Sequence, residues 1–186
     1  MISNYLISTS SQKILQYLLI SDGEQYYGNE IAKSVNISFS AANGVLRKMH
    51  KDRIINKISK GKICFYSLNK NHIYVKEMKI LAHLILLEPI IEKLKSCCYK
   101  IVLFGSVLSG ESTYESDIDL FIVSTRKNDV MAIIDKYSEK KRIYNKKLQV
   151  IVENPVSLLK KNPNSEIFMQ EINKGMVIWE GRNGDF

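Results

Sequence analysis

Two aspartates set two positions apart, Asp117 and Asp119, are the residues of this chain best placed for chemistry. They open the run Asp117-Ile118-Asp119-Leu120-Phe121-Ile122-Val123, which has the composition of a buried strand. On a strand, positions i and i+2 face the same side, so both carboxylates project together while Ile118 and Leu120 face the opposite way. Carboxylates held side by side repel, and a divalent cation between them is the simplest remedy. Upstream, the apolar run Ile101-Val102-Leu103-Phe104 is ended at once by Gly105-Ser106. Such a turn lets backbone N–H groups and a hydroxyl approach a phosphate closely. Together these are the parts for metal-assisted phosphoryl or nucleotidyl transfer. The plain alternative, a solvated turn with capping acids, requires the Gly-Ser placement and the strand alternation both to be coincidence.

These residues need a framework. Ile80 to Lys95 reads as an amphipathic helix in which Pro89 should cause a kink or a break. Gly110 to Ser116 is a small polar loop between the two strands. Leu148 to Val152 reads as a further strand, Pro155 to Lys161 and Ser165 to Lys174 as helices stopped by Gly175, and Met176 to Glu180 as a last strand.

The segment LFGSVLSGESTYESDIDLFIV resembles the nucleotidyltransferase superfamily motif. More narrowly it is similar to the minimal, polymerase-β-like nucleotidyltransferases, whose usual form is LFGSRARG followed by SDIDL. The resemblance spans about residues 80–182 and implies a mixed α/β domain using Mg²⁺ and a nucleoside triphosphate, ATP above all. It implies phosphate contacts from Gly105 and Ser106, and a catalytic, metal-ligating role for Asp117 and Asp119. In that family the transfer often neutralises a partner toxin, which makes a toxin protein an implied partner. Two positions depart from the pattern. Val107 and Ser109 stand where arginines are usual. The third carboxylate expected on a later strand falls at Gln149, which can neither act as a base nor bind Mg²⁺ strongly. Glu153, four residues on, keeps the same face but lies about 13 Å further along a strand.

The first part of the chain has another pattern. Ser10 or Ser11 can cap a helix carrying Ile14, Leu15, Leu18 and Leu19, which should end near Asp22-Gly23. A second helix runs through Asn29 to Val35. After the turn Asn36-Ile37-Ser38, a third runs from about Ser40 to Asp52 with Val45, Leu46 and Met49 on one face. Ile54 to Ser59 and Ile63 to Leu68 read as strands joined at Lys60-Gly61-Lys62. Residues 8–70 resemble the winged-helix DNA-binding domains of bacterial and archaeal regulators. The resemblance implies a third helix in the major groove and a wing on the backbone or minor groove of double-stranded DNA. Ser38, Ser40, Asn43, Arg47, Lys48 and Lys51 would face the duplex, and Lys60 and Lys62 would flank its phosphates. A solvated helix face, or a protein-interaction module, is the competing account.

The net charge of +8 on 186 residues divides unevenly: residues 1–75 carry 10 Lys and Arg against 4 Asp and Glu, residues 76–186 carry 17 against 15. A basic module for a polyanion and a nearly neutral module for something else is the implied arrangement. The expected fold is therefore α+β: a winged helix-turn-helix in 1–75, then a nucleotidyltransferase-type domain in 76–186 whose first part, 76–96, connects the two. Cys64, Cys97 and Cys98 give neither a disulfide framework nor a metal spacing, and His50, His72 and His83 read as surface or partly packed residues. The most apolar stretch, Ile80 to Ile91, is too short and too polar to span a bilayer, so the expectation is a cytoplasmic protein with no membrane partner. Its leucines could support a homodimer or simply pack in a core. Two functions fit: an enzyme that transfers AMP from ATP to a protein or nucleic-acid hydroxyl, or a DNA-binding regulator whose degenerate nucleotidyltransferase domain senses nucleotide or mediates assembly.

Overall fold

The computed structural model of the chain describes residues 1–23, 25–140, 146–158 and 166–181. It divides into two compact units: Met1–Ile85 with Ser112–Tyr114, and Leu86–Glu111 with Glu115–Phe186.

In the first unit a short helix α1 (Ser3–Leu6) precedes α2 (Ser10–Ile20). The cap of α2 is Thr9, one residue before the expected Ser10 or Ser11. Thr9 Oγ1 accepts from the Gln12 backbone N–H at 3.3 Å, and Gln12 Oε1 accepts from the Thr9 N–H at 2.9 Å. Only from Thr9 does a glutamine fall three residues on, which completes a reciprocal capping box. Strand β1 (Tyr26–Tyr27), helix α3 (Gly28–Ser34), helix α4 (Phe39–Lys51) and strands β2 (Ile55–Lys60) and β3 (Ile63–Leu68) follow. The three strands form an antiparallel sheet in the order β1-β3-β2. Lys60 pairs with Ile63, so the hairpin turn is Gly61-Lys62, and Gly61 takes the positive φ of +60° that a tight turn of this kind needs at its first position.

Helix α4 starts at Phe39 because Ser38 caps it, its hydroxyl accepting from the Ala41 N–H at 3.2 Å. Its buried face is Ala42, Leu46 and Met49; Val45 is only half-buried. Ile14, Leu18, Ile31, Leu46 and Ile55 form the core of the unit, with Tyr17 and Tyr26 in edge-to-face contact at 5.3 Å. Three helices followed by a two-stranded wing make this unit a winged helix-turn-helix.

Helix α5 (Val75–Leu94) runs unbroken through Pro89, correcting both the expected start at Ile80 and the expected break. Proline removes one backbone donor, a loss a well-buried helix tolerates: Leu87, Ile90, Ile91 and Leu94 around it are all buried. Earlier in α5, in the first unit, Lys79 is buried and donates to Asp22 Oδ2 at 2.8 Å and to the Ser112 carbonyl. The Tyr114 N–H donates to the Asp22 carbonyl. Residues Ser112–Tyr114 are thus held by first-unit groups, although in sequence they lie between Gly110 and Asp117. His83 is fully buried rather than superficial, with Nδ1 2.7 Å from the Lys79 carbonyl oxygen.

The second unit contains β4 (Lys100–Phe104), α6 (Gly105–Leu108), β5 (Ile118–Val123), α7 (Lys127–Lys140), β6 (Leu148–Glu153), α8 (Pro155–Leu158), α9 (Glu166–Asn173) and β7 (Met176–Glu180). The helices expected at Pro155 to Lys161 and Ser165 to Lys174 are seen as α8 and α9; residues 159–161 and 165 lie outside the described residues. The sheet order is β6-β5-β4-β7, with β5 and β6 parallel and the other pairs antiparallel. On one face Ile101, Leu103, Ile118, Leu120 and Ile122 are completely buried. On the other, Val102, Phe121 and Val123 pack on Ile172 and Phe168, with the Phe121 and Phe168 rings 6.0 Å apart edge-on. The whole is α+β. No helix among the described residues is long and apolar enough to cross a membrane.

Candidate active site

Strand β4 ends beside Asp119: its last residue, Phe104, is the register partner of Asp119 on β5. The next residue, Gly105, has φ +72° and turns the chain from strand into α6. A Cβ on Gly105 would lie 2.2 Å from Asp119 Oδ2, so only glycine lets this backbone reach the carboxylate. Ser106 follows, half-buried, its carbonyl accepting from the Ser109 hydroxyl at 3.1 Å and the Glu111 N–H at 3.0 Å. Its own hydroxyl has no hydrogen-bond partner among the described residues.

Asp119 lies on β5 on the face shared with Phe121 and Val123. Asp117 stands just before the strand; both aspartates are half-buried. Burial first, and then the neighbouring Asp117 charge, raises the Asp119 pKa above the usual carboxylate value. Neither aspartate forms an ion pair with a described Lys, Arg or His. A half-buried, mutually repelling carboxylate pair fits a divalent cation, and a two-carboxylate site completed by substrate phosphates is typical of Mg²⁺. No group of three or more His, Cys, Asp or Glu that could hold a metal occurs among the described residues.

The family model described as "Polymerase beta, Nucleotidyltransferase" matches residues 88–183. The chain belongs to this nucleotidyltransferase family. None of the curated proteins matches the chain. Among solved structures, the crystal structure of a zinc-responsive MarR family member, Lactococcus lactis ZitR, is similar at 24% identity and a TM-score of 0.36. That match covers 47% of this chain and 60% of ZitR, less than two thirds of its length.

The departures of this nucleotidyltransferase have structural reasons. Val107 is completely buried and Ser109 turns its hydroxyl back onto the Ser106 carbonyl, so neither position offers a cation to a phosphate. Gln149 is the β6 residue in parallel register with Asp119, on the same face and exposed. Glu153 pairs with Val123 at the far end of the strand, about 13 Å away along it. One residue went unnoticed in the sequence. Lys146 is buried, and its ammonium donates to the Ser116 carbonyl at 3.1 Å, tying the residue before Asp117 to the chain entering β6. Nothing in Lys146-Lys147 distinguishes it from two solvated lysines; the parallel pairing of β5 and β6 creates its role.

In the winged helix, Ser40, Arg47, Lys48 and Lys51 are exposed on α4, and Asn43 is half-buried there. Ser38 spends its acceptor on the helix cap, leaving the hydroxyl proton to donate. Lys60 sits over the Phe65 ring at 5.4 Å, and Lys62 is exposed in the turn. Sequence reasoning passed over the aromatic residues between them, Tyr27 and Phe39, which line one cleft with Asn43, Arg47 and Lys62. Phe121 is buried in the core.

Proposed function

We propose that this nucleotidyltransferase transfers a nucleotidyl group, AMP from ATP, to a hydroxyl of a protein or nucleic acid, and that its winged helix binds double-stranded DNA. The observation that carries the first part is the Gly105 backbone lying against Asp119, beside Asp117, with no cation among the described residues paired to either carboxylate. Asp117 and Asp119 would hold Mg²⁺, which when bound neutralises triphosphate charge and eases pyrophosphate departure. The Ser106 hydroxyl and the N–H groups of the turn bind a phosphate oxygen. In the transfer the acceptor oxygen bonds to the α-phosphorus, the bond to pyrophosphate breaks, and the acceptor proton passes to water. Cations of α4 and the wing support the DNA reading.

A second reading is favoured by one observation. Gln149, in register with Asp119, cannot take the acceptor proton. On this reading the domain binds metal and nucleotide without turning it over, and the protein acts as a regulator. Incubation with labelled ATP, Mg²⁺ and candidate acceptors, a toxin protein among them, separates the two. Transfer that disappears in Asp117→Ala supports the enzyme; nucleotide binding lost in the same variant, with no transfer by the parent, supports the regulator. A salt-dependent shift of duplex mobility, weakened by Arg47→Ala and Lys60→Ala, is expected for the DNA part.

A further inference from the structure

The first unit contains a cleft of about 670 Å³ where the start of α3, the outer side of α4 and the β2–β3 hairpin meet. That volume falls in the range that holds a small molecule or one nucleotide. Its walls include Tyr27, Phe39, Ile63 and Phe65, its cations are Arg47, Lys57 and Lys62, and among the described residues no Asp or Glu lines it. The apolar walls are open to solvent: Phe39 is 53% exposed, Ile63 54% and Tyr27 42%. Gly28 forms part of the floor, where a Cβ would approach the Phe39 ring to 3.2 Å.

A blunt duplex offers base edges in its grooves, while its base faces are stacked on one another. Exposed aromatic faces gain little from such a partner. An unpaired base presents a free π face, and stacking on aromatic side chains beside cations is the general chemistry of single-strand binding. The cleft combines ring faces, cations for phosphate oxygens and the Asn43 amide, which can donate to or accept from a base edge.

We propose that this cleft holds an unpaired nucleotide of a nucleic-acid strand, the base against Tyr27 and Phe39 and the phosphates against Arg47 and Lys62. The proposal rests on the nucleic-acid reading of the first unit and deepens it by naming unpaired strand as the preferred partner.

The test is fluorescence anisotropy on the full chain with chelator present, so that the metal-dependent nucleotide site takes no part. Three labelled probes are compared: a thymidine oligonucleotide, a blunt duplex, and that duplex carrying a central unpaired bulge. The single strand and the bulged duplex are expected to bind about tenfold more tightly than the blunt duplex. Phe39→Leu, which keeps apolar bulk and removes the ring, should weaken single-strand binding about tenfold and leave blunt-duplex binding within about twofold, and Phe39→Tyr should restore it. Arg47→Ala should weaken all three probes. Blunt-duplex binding as tight as single-strand binding, or Phe39→Leu binding the oligonucleotide like the parent, overturns the proposal and leaves the duplex reading standing. Failure of every probe to bind removes both.

Discussion

Gly105→Ala isolates the contact on which the active-site reading depends. The new methyl would sit 2.2 Å from Asp119 Oδ2, 3.0 Å from its Cγ and 3.3 Å from its Cβ. To restore ordinary contact the carboxylate or the turn must retreat by about 1 Å, a displacement that can cost ~10²-fold in a geometry-dependent step. Separately, an L residue at φ +72° costs about 1–2 kcal/mol. Gly61→Ala separates the two effects, since Gly61 has φ +60° with nothing within 4 Å of its Cβ. Both variants should therefore melt several degrees below the parent, at roughly 4–8 °C per kcal/mol for a unit of this size. Only Gly105→Ala should melt lower still and lose Mg²⁺ affinity. Calorimetric titration with MgCl₂ and thermal melting of the full chain are the assays. If Gly105→Ala binds Mg²⁺ like the parent, or is no less stable than Gly61→Ala, the contact does not do what is argued.

Asp119 has its pKa raised in the folded chain by burial and by Asp117, so the folded state binds the proton more tightly than the unfolded one. Stability should be greatest below the unfolded carboxylate pKa and fall as pH rises through the folded value. Asp119→Asn should thus melt higher than the parent near neutral pH in chelator, with the gain vanishing in acid; a gain independent of pH refutes this. Gln149→Glu places a carboxylate in register with Asp119 and should tighten Mg²⁺ binding and raise nucleotidyl transfer above the parent's level, read with labelled ATP. Lys79→Met leaves buried Asp22 with only the exposed Lys70, 3.3 Å away, and should cost less than the roughly 3–5 kcal/mol of a fully orphaned buried charge in denaturant melts, with Asp22→Asn added to it recovering part of the loss. Arg47→Ala should lower the salt slope of duplex binding by about one, as loss of one phosphate contact does.

Local signals in the sequence carried most of the framework. Alternation around Ile118 and Leu120 placed β5, and the register of β5 and β6 places Gln149 beside Asp119, where the motif led one to look. Capping was misread by one residue because Ser10, Ser11 and Thr9 are all competent caps, and Gln12 decides among them only through a reciprocal bond. Pro89 was overvalued, since its cost is local while the burial of α5 is not. The parts that stayed hidden depend on neighbours distant in sequence. Lys146 acquires its role from strand pairing, the Tyr27 and Phe39 cleft from the wing folding beside α4, and the buried Lys79–Asp22 pair from residues 57 positions apart.

The anchoring of Ser112–Tyr114 by Asp22 and Lys79 bears on how this chain can be taken apart or recombined. The polypeptide leaves the first unit after Ile85, returns for three residues, and leaves again. A cut between Ile85 and Leu86 would therefore yield two incomplete pieces: one lacking the segment that covers its buried ion pair, the other carrying that segment with nothing to dock on. Grafting the nucleotidyltransferase onto another winged-helix module would meet the same obstacle unless equivalents of Asp22 and Lys79 travelled with it. The two modules are separable on a linear map of the gene but not at any single point of the chain.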